Sequence, residues 1–228
     1  GLYEVFDRVL ERHPDVRVET CGNGGMYIDL AMLRLSHSIW IDDYVGFEVL
    51  GQPYDIDVNR NFRSALCQWL PGPLPQNSLY IPWEVTQSDE VYDPIHYVSH
   101  FAGTLTFGQR VQQWKESDME MAARAVEAYK SVREFMLGDY YPLFPLPETR
   151  DVWDGWQFHD PDSDEGAIVL FRLPESSETT RTFRPGGLKN PSDYTYETIF
   201  GTCELEADGE DLRATLPDER FAVIRYRR

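Results

Sequence analysis

Two short stretches near the start of this chain carry the residue types that could do chemistry. The first is a predicted strand, in which Val16 and Val18 alternate with charged residues before the chain enters a glycine-rich turn. Glycines let backbone amides approach a ligand closely. The second is an apolar run that ends at Trp40, Asp42 and Asp43. A flat indole beside a carboxylate suits a sugar ring, because the aromatic face covers C–H groups while polar atoms bind the hydroxyls. The two stretches therefore indicate carbohydrate chemistry.

These stretches also carry a motif that is found in a known family. The motif combines a glutamate, a cysteine, a glycine pair and a tryptophan followed by acids: Glu19-Thr20-Cys21, Gly24-Gly25, Asp29 and Trp40-Ile41-Asp42-Asp43. In these residues the chain resembles the melibiase-type α-galactosidases of glycoside hydrolase family 36. The resemblance continues through residues 129–138, 153–172 and 185–188. Two residues depart from the family pattern, because Tyr27 replaces the usual arginine and Asp42 replaces the usual serine.

The resemblance implies both a fold and a site. The implied fold is α/β, with the C-terminal half of a (β/α)8 TIM barrel over residues 1–140 and an antiparallel β-sandwich over residues 141–228. Asp43 corresponds to the acid/base of a retaining glycosidase, and the substrate-binding residues would be Cys21, Gly24, Gly25 and Trp40. No metal or cofactor is implied. The expected ligand is an α-galactoside or a related oligosaccharide.

The resemblance also implies that part of the active site lies elsewhere. A whole barrel takes about 250 residues, and the family's nucleophile lies in a lysine-x-aspartate strand for which no match precedes Cys21. We therefore expect a missing N-terminal half of the barrel, or a homo-oligomer, to complete the site. The amphipathic pattern that begins at the first residue also suggests a preceding segment. The alternative is a non-catalytic sugar-binding or structural fragment that lacks the nucleophile.

From the residues alone, several of these assignments stay open. Asp42 and Asp43 can each be the acid or the cap of a following helix, and only the resemblance assigns the acid/base to Asp43. Cys21 is compatible with a small buried residue, and Asp29 with a helix cap or a partner of a ligand-binding group. A glycine pair most often shapes a turn.

Composition excludes several classes of partner. The chain has 39 acidic and 21 basic residues, a net charge of −18, which would repel nucleic acids and anionic membrane surfaces. Its apolar runs are shorter than the roughly 20 residues that a membrane-spanning helix needs. Three scattered cysteines, Cys21, Cys67 and Cys203, indicate neither a disulfide framework nor a metal site. His96 and His100 have helical spacing but lack the glutamate of a zinc motif, so ordinary polar histidines are the better interpretation.

The first part of the chain alternates predicted strands and helices, which is typical of a parallel sheet with crossover helices. Helices are predicted from the first residue to the break at His13-Pro14, at 28–35 and at 60–69, and strands at 16–21, 38–41, 79–82 and 103–107. The proline-rich segment 71–75 is predicted to be a loop. A capping box at Ser117 and Glu120 predicts the start of a long helix that ends at Gly138.

The pattern changes to short strands after about residue 140. Strands are predicted at residues 153–159, 167–173, 179–183, 194–199, 212–216 and 221–226, which favours an antiparallel sandwich. The acidic segment 160–166 lacks the ligand order of a calcium loop and is predicted to be an exposed hairpin turn. Trp153, Trp156 and Phe158 could form a sugar platform, but core packing is favoured.

Overall fold

The computed structural model describes residues 1–22, 25–43, 55–79, 92–108, 111–217 and 219–228. Among these residues the strands form three sheets, which we call the parallel sheet, the larger antiparallel sheet and the smaller antiparallel sheet. No helix within the described ranges is long and apolar enough to cross a membrane.

The parallel sheet is formed by the first part of the chain, as the alternation of strands and helices predicts. Its strands follow each other in sequence order: β1 (Glu19–Thr20), β2 (Ser38–Trp40), β3 (Pro75–Leu79) and β4 (Thr104–Phe107). The third strand was predicted at residues 79–82. Leu79 does lie in this strand, but the strand already begins at Pro75, within the segment predicted as a loop, and residues 80–82 lie outside the described ranges. Pro75 opens this strand, where its missing N–H costs the ladder least.

Helices precede, connect and follow these strands. They are α1 (Leu2–Arg12), α2 (Leu30–Leu33), α3 (Ile56–Cys67), α4 (Ile95–Val98) and α5 (Glu116–Val132). The helix α1 ends before His13 and Pro14, as expected from the conformational limits on a residue before proline. The helix α3 begins at Asp55, whose carboxylate accepts hydrogen bonds from the amides of Asp57 and Val58.

The long helix α5 begins earlier than predicted. Its N-cap is Lys115 and it has no side-chain cap, so the predicted capping box at Ser117 is wrong. Asp118 in the first turn is buried instead, and it accepts a hydrogen bond of 3.1 Å from the backbone N–H of Tyr92. The α-helix ends at Val132 and continues as a short 3-10 helix, which Gly138 terminates as predicted.

The rest of the chain forms the two antiparallel sheets. The larger sheet contains, in spatial order, β5 (Asp139–Pro142), β6 (Trp153–Asp160), β7 (Glu165–Arg172), β12 (Phe221–Arg227) and β9 (Thr195–Gly201). The smaller sheet contains β10 (Glu204–Asp208), β11 (Asp211–Thr215) and β8 (Thr180–Phe183). The predicted hairpin turn lies between β6 and β7, where Asp164 adopts a φ of 56°.

Both faces of the larger antiparallel sheet are buried. One face packs on the smaller sheet, with Ile168 and Ile224 against Leu212 and Phe183, which is the arrangement of a β-sandwich. The other face packs against α4 and α5 through a second set of apolar side chains, including Trp156, Val169, Val98, Ala125 and Phe135. The core packing predicted for Trp153, Trp156 and Phe158 is confirmed, since all three are buried.

A buried ion pair ties the parallel-sheet region to the larger antiparallel sheet. Arg60 on α3 is fully buried, and its Nε lies 2.7 Å from Asp154 Oδ2 on β6. Its Nη1 lies 2.9 Å from Asp57, which also binds Arg150. Burial alone would raise the pKa of Asp57, but Arg60 and Arg150 outweigh that effect and lower it. A carboxyl with a lowered pKa adds stability that is lost as the pH falls through the folded-state pKa.

Removal of this link should destabilise the protein strongly. The variant Asp154→Ala leaves the buried Arg60 charge with Asp57 as its carboxylate partner, and breaking a buried pair in this way costs about 3 kcal/mol. Urea unfolding followed by tryptophan fluorescence measures the change. Asp162→Ala, in the exposed hairpin turn, is the matched control and should change the unfolding free energy little. Equal effects of the two substitutions would contradict a stabilising role for the Arg60 pair.

Candidate functional site

The predicted tryptophan and acid come together at the carboxyl end of β2. Trp40 is the last residue of this strand and Asp43 follows three residues later. The indole Nε1 of Trp40 donates a hydrogen bond of 3.0 Å to Asp43 Oδ1. Both residues are partly exposed, so a ligand can reach them. The edge where parallel strands end is where open α/β sheets bind ligands.

The glycine-rich turn lies against the same strand end. Gly25 has a φ of +106°, and a Cβ at this position would lie 2.7 Å from the carbonyl oxygen of Ile41. The turn therefore needs glycine here, both for its backbone conformation and for its approach to the segment between Trp40 and Asp43. Gly24, the other glycine of the pair, lies outside the described residues.

Cys21 lies at the same level of the sheet as Trp40. In the register of β1 and β2, Thr20 is opposite Ile39, and the next residues along the two strands are Cys21 and Trp40. The thiol is free and the residue is exposed, so the buried alternative that the sequence left open does not apply. Its exposure at the strand end is compatible with a wall of a binding site.

The two neighbouring acids of the motif have different surroundings. Asp42 is only 4% exposed, and the amide Nδ2 of Asn77 donates a hydrogen bond of 2.8 Å to its Oδ2. Asp43, by contrast, is partly exposed and is held by Trp40. The cap of α3 is Asp55, so neither acid caps that helix. Asp42 is therefore held inside the fold, whereas Asp43 can be reached by a ligand.

A polar network that the sequence analysis missed crosses the face of the parallel sheet that carries Trp40. Gln76 lies opposite Trp40 in the register of β2 and β3, and its amide donates a hydrogen bond to the carboxylate of Glu19 on β1. Thr106 on β4 donates a bond of 3.3 Å to Gln76 Oε1. A strand places every second residue on one face. The signal for this network in the sequence would have been polar residues at alternate positions along the strands, but it required the strands to be placed correctly.

Asp29, which the sequence left as either a cap or a partner of a ligand-binding group, caps α2. Its Oδ1 accepts hydrogen bonds of 2.9 Å from the amides of Ala31 and Met32, and its Oδ2 accepts one from the hydroxyl of Tyr3. The bond from the Met32 amide, with that from Tyr3, lowers the pKa of this carboxyl. Tyr27 packs its ring against Gly22, since a Cβ on Gly22 would lie 2.5 Å from it.

The histidine pair lies in the interior. His100 is fully buried, and its Nδ1 lies 2.9 Å from the carbonyl oxygen of His96. Burial lowers the pKa of His96 to about 4, and burial together with the nearby Arg63 lowers that of His100 well below its usual value. Both rings are therefore neutral at physiological pH. Within the described residues no cluster of three or more His, Cys, Asp or Glu side chains could hold a metal ion.

Comparisons with known proteins show a likeness to α-galactosidases in sequence and in fold. The Melibiase family model matches residues 1–48, which include β1, β2 and the predicted site residues. The curated α-galactosidase AgaA of Geobacillus stearothermophilus is 25% identical over 211 residues, covering 90% of this chain. This chain resembles the C-terminal region of a melibiase-type α-galactosidase.

Solved structures show a likeness in fold over the whole length of this melibiase-like chain. The crystal structure of the family 36 α-galactosidase AgaA in complex with raffinose has a TM-score of 0.77 at 22% identity, and that of an AgaA complex with stachyose has 0.76 at 21%. Both comparisons cover 100% of this chain and 31% of the solved chain. The chain spans only 27% of the length of the curated relative AgaA.

Proposed function

We propose that this chain is the C-terminal part of a retaining α-galactosidase-type glycoside hydrolase that cleaves terminal α-galactosides. It supplies the acid/base, Asp43, and part of the sugar pocket. The observation that carries the proposal is the accessible Asp43 carboxylate at the carboxyl end of the parallel sheet, with Trp40 Nε1 bonded to it at 3.0 Å. It supports the proposal because hydrolysis of a glycoside needs a carboxyl group that can protonate the leaving group, and an adjacent aromatic face can cover a sugar ring.

The proposed architecture has two parts. Residues 1–140 form the C-terminal half of a (β/α)8 barrel, and residues 141–228 form the β-sandwich domain. Parallel strands in sequence order with intervening helices support the first part. The other half of the barrel, with the nucleophile, is supplied by a segment N-terminal to these residues. We use the term complete enzyme for the assembly that contains both halves.

In the proposed reaction, Asp43 acts twice. As an acid it gives its proton to the glycosidic oxygen while a carboxylate outside this chain attacks the anomeric carbon, and the aglycone leaves as an alcohol. As a base it then removes a proton from water, which attacks the same carbon and releases galactose. Because Trp40 binds Oδ1, we assign Oδ2 to both proton transfers.

The pocket residues have complementary roles in this proposal. Trp40 covers the C–H groups of the sugar with its indole face, since its N–H is directed at Asp43. Cys21 forms a wall, while Gly24 and Gly25 let the backbone approach the galactose. We propose galactose-terminated oligosaccharides as substrates, because AgaA has been crystallised with raffinose and stachyose. A neutral sugar also suits a chain of net charge −18.

The stereochemistry of the product tests this proposal. When the complete enzyme hydrolyses a terminal α-galactoside, proton NMR should show α-galactose first and the β-anomer only later by mutarotation. Two successive inversions at the anomeric carbon give net retention. Initial release of the β-anomer would contradict the retaining route. Binding of galactose without hydrolysis would favour the non-catalytic fragment.

A further inference from the structure

A fully buried arginine lies behind the candidate site. Arg63 on α3 is 0% exposed, and its guanidinium group reaches β3 and the segment before β4. Its Nη2 donates a hydrogen bond of 3.0 Å to the carbonyl oxygen of Asn77, and its Nη1 donates bonds of 3.3 and 3.2 Å to the carbonyl oxygens of His100 and Ala102. Gly103 leaves room for it, because a Cβ there would lie 2.6 Å from Nη1.

This arginine decides which way the Asn77 side chain points. Arg63 Nε donates a hydrogen bond of 2.9 Å to Asn77 Oδ1. Since a guanidinium group has donors and no acceptor, the amide oxygen must face the arginine. The NH2 group of Asn77 is then directed away from Arg63, and its Nδ2 lies 2.8 Å from Asp42 Oδ2. The amide orientation therefore follows from the chemistry of its neighbours.

The Asn77 amide in turn holds the buried acid of the motif. Asp42 is 4% exposed, and a carboxylate removed from water needs hydrogen-bond donors. Asp42 is joined directly to Asp43, whose side chain must meet the Trp40 indole N–H. A shift of Asp42 would move the backbone of Asp43 and break that geometry. Displacements of about 1 Å at a catalytic group can cost on the order of a hundredfold in rate.

We propose that Arg63 and Asn77 are positioning residues that anchor Asp42 and thereby place Asp43 against Trp40. The relay runs from the Arg63 guanidinium through the Asn77 amide to the Asp42 carboxylate. The hydrogen bonds of the relay do not depend on any reaction, whereas the effect of the relay on catalysis rests on the proposed function. It assigns different roles to the neighbouring acids: Asp42 fixes the strand end, and Asp43 transfers the proton.

A donor–acceptor exchange tests the relay in this chain. Asn77→Asp keeps an acceptor for Arg63 but sets a carboxylate against Asp42, so the Trp40 indole N–H resonance in a nitrogen-15 correlation spectrum should move from its wild-type position. Adding Asp42→Asn restores one donor and one acceptor with their direction reversed. The double variant should return the resonance to its wild-type position. The Trp40→Phe variant identifies the peak among those of the six tryptophans.

A matched control separates the relay from general destabilisation. Asn59, on α3, is fully buried like Asn77 on β3. Asn59→Asp should lower the melting temperature while leaving the Trp40 resonance in place. If Asn77→Asp does not fold, a folded double variant with a wild-type resonance still supports the relay. The relay is overturned if the double variant is unfolded or if its resonance stays displaced. It is also overturned if Asn77→Asp folds and its Trp40 resonance does not move.

Kinetics of the complete enzyme test the catalytic consequence. Asn77→Asp should lower kcat for α-galactosides about tenfold to a hundredfold with little change in KM, and the double variant should recover most of the loss. If resonances respond as expected but even the wild-type complete enzyme hydrolyses nothing, the proposed function fails and the structural relay stands. If hydrolysis occurs and Asn77→Asp changes neither kcat nor the resonance, the relay alone fails.

Discussion

Replacement of Asp43 by asparagine in the complete enzyme should reduce hydrolysis of raffinose by about 10²–10⁴-fold, the usual contribution of a positioned general acid. The same substitution should affect an activated aryl α-galactoside much less in the galactosylation step. A nitrophenolate leaves without protonation, whereas the alcohol of raffinose needs a proton. Pre-steady-state release of nitrophenol, compared with steady-state hydrolysis of raffinose, measures the difference.

The neighbouring acid provides the control for this prediction. Asp42→Asn changes the same chemical group one residue away, and its amide oxygen can still accept the hydrogen bond from Asn77. We expect a small loss that is similar for both substrates. Equal and large losses for both substrates in Asp43→Asn would indicate that Asp43 supports the fold and does not transfer a proton.

This 228-residue chain expressed alone should hydrolyse no α-galactoside above the spontaneous rate. An acid/base without the nucleophile cannot form the glycosyl-enzyme intermediate of the retaining route. The helix α1 also leaves apolar surface open, since it has no buried residue and its Leu2 and Val5 are 47% and 58% exposed. Such surface favours association.

An aryl α-galactoside assay on the purified chain, run beside light scattering, measures both effects. The complete enzyme assayed under the same conditions is the control and should be active. Robust turnover by a monodisperse monomer of the chain would contradict the half-barrel proposal. It would require a nucleophile among the carboxylates of this chain.

Periodicity predicted the regular elements well where one face of each element is apolar. The helix α1 and the strands β6, β7, β8, β9, β11 and β12 all lie close to their predicted positions. The strand β10 was missed although acidic and apolar residues alternate in Glu204–Asp208, because Glu, Asp and Ala are depleted in strands and the segment is largely exposed. The strand β5 was missed because residues 139–147 were interpreted as a connection between domains.

Residues close together in the sequence were enough to recognise the likeness to the family. The geometry of the site could be described only from the tertiary structure. Spacing from Cys21 to Asp43 identified the likeness to melibiases, which the comparisons confirm. Which of Asp42 and Asp43 is accessible could not be predicted from the residues alone. The answer depends on Asn77 and Arg63. Asn77 lies between the predicted loop at 71–75 and the predicted strand at 79–82, and Arg63 lies on a helix whose buried face was unknown. The roles of the site residues remain predictions.

The central claim, that Asp43 is the acid/base of a retaining α-galactosidase, is tested most directly by azide rescue. In the Asp43→Ala complete enzyme, an activated aryl α-galactoside still forms the glycosyl-enzyme intermediate, but water lacks its general base. Azide needs no base, attacks the same carbon and displaces the enzyme carboxylate. We predict faster turnover with added azide and α-galactosyl azide as the product. No acceleration, or formation of the β-azide, would contradict the assignment.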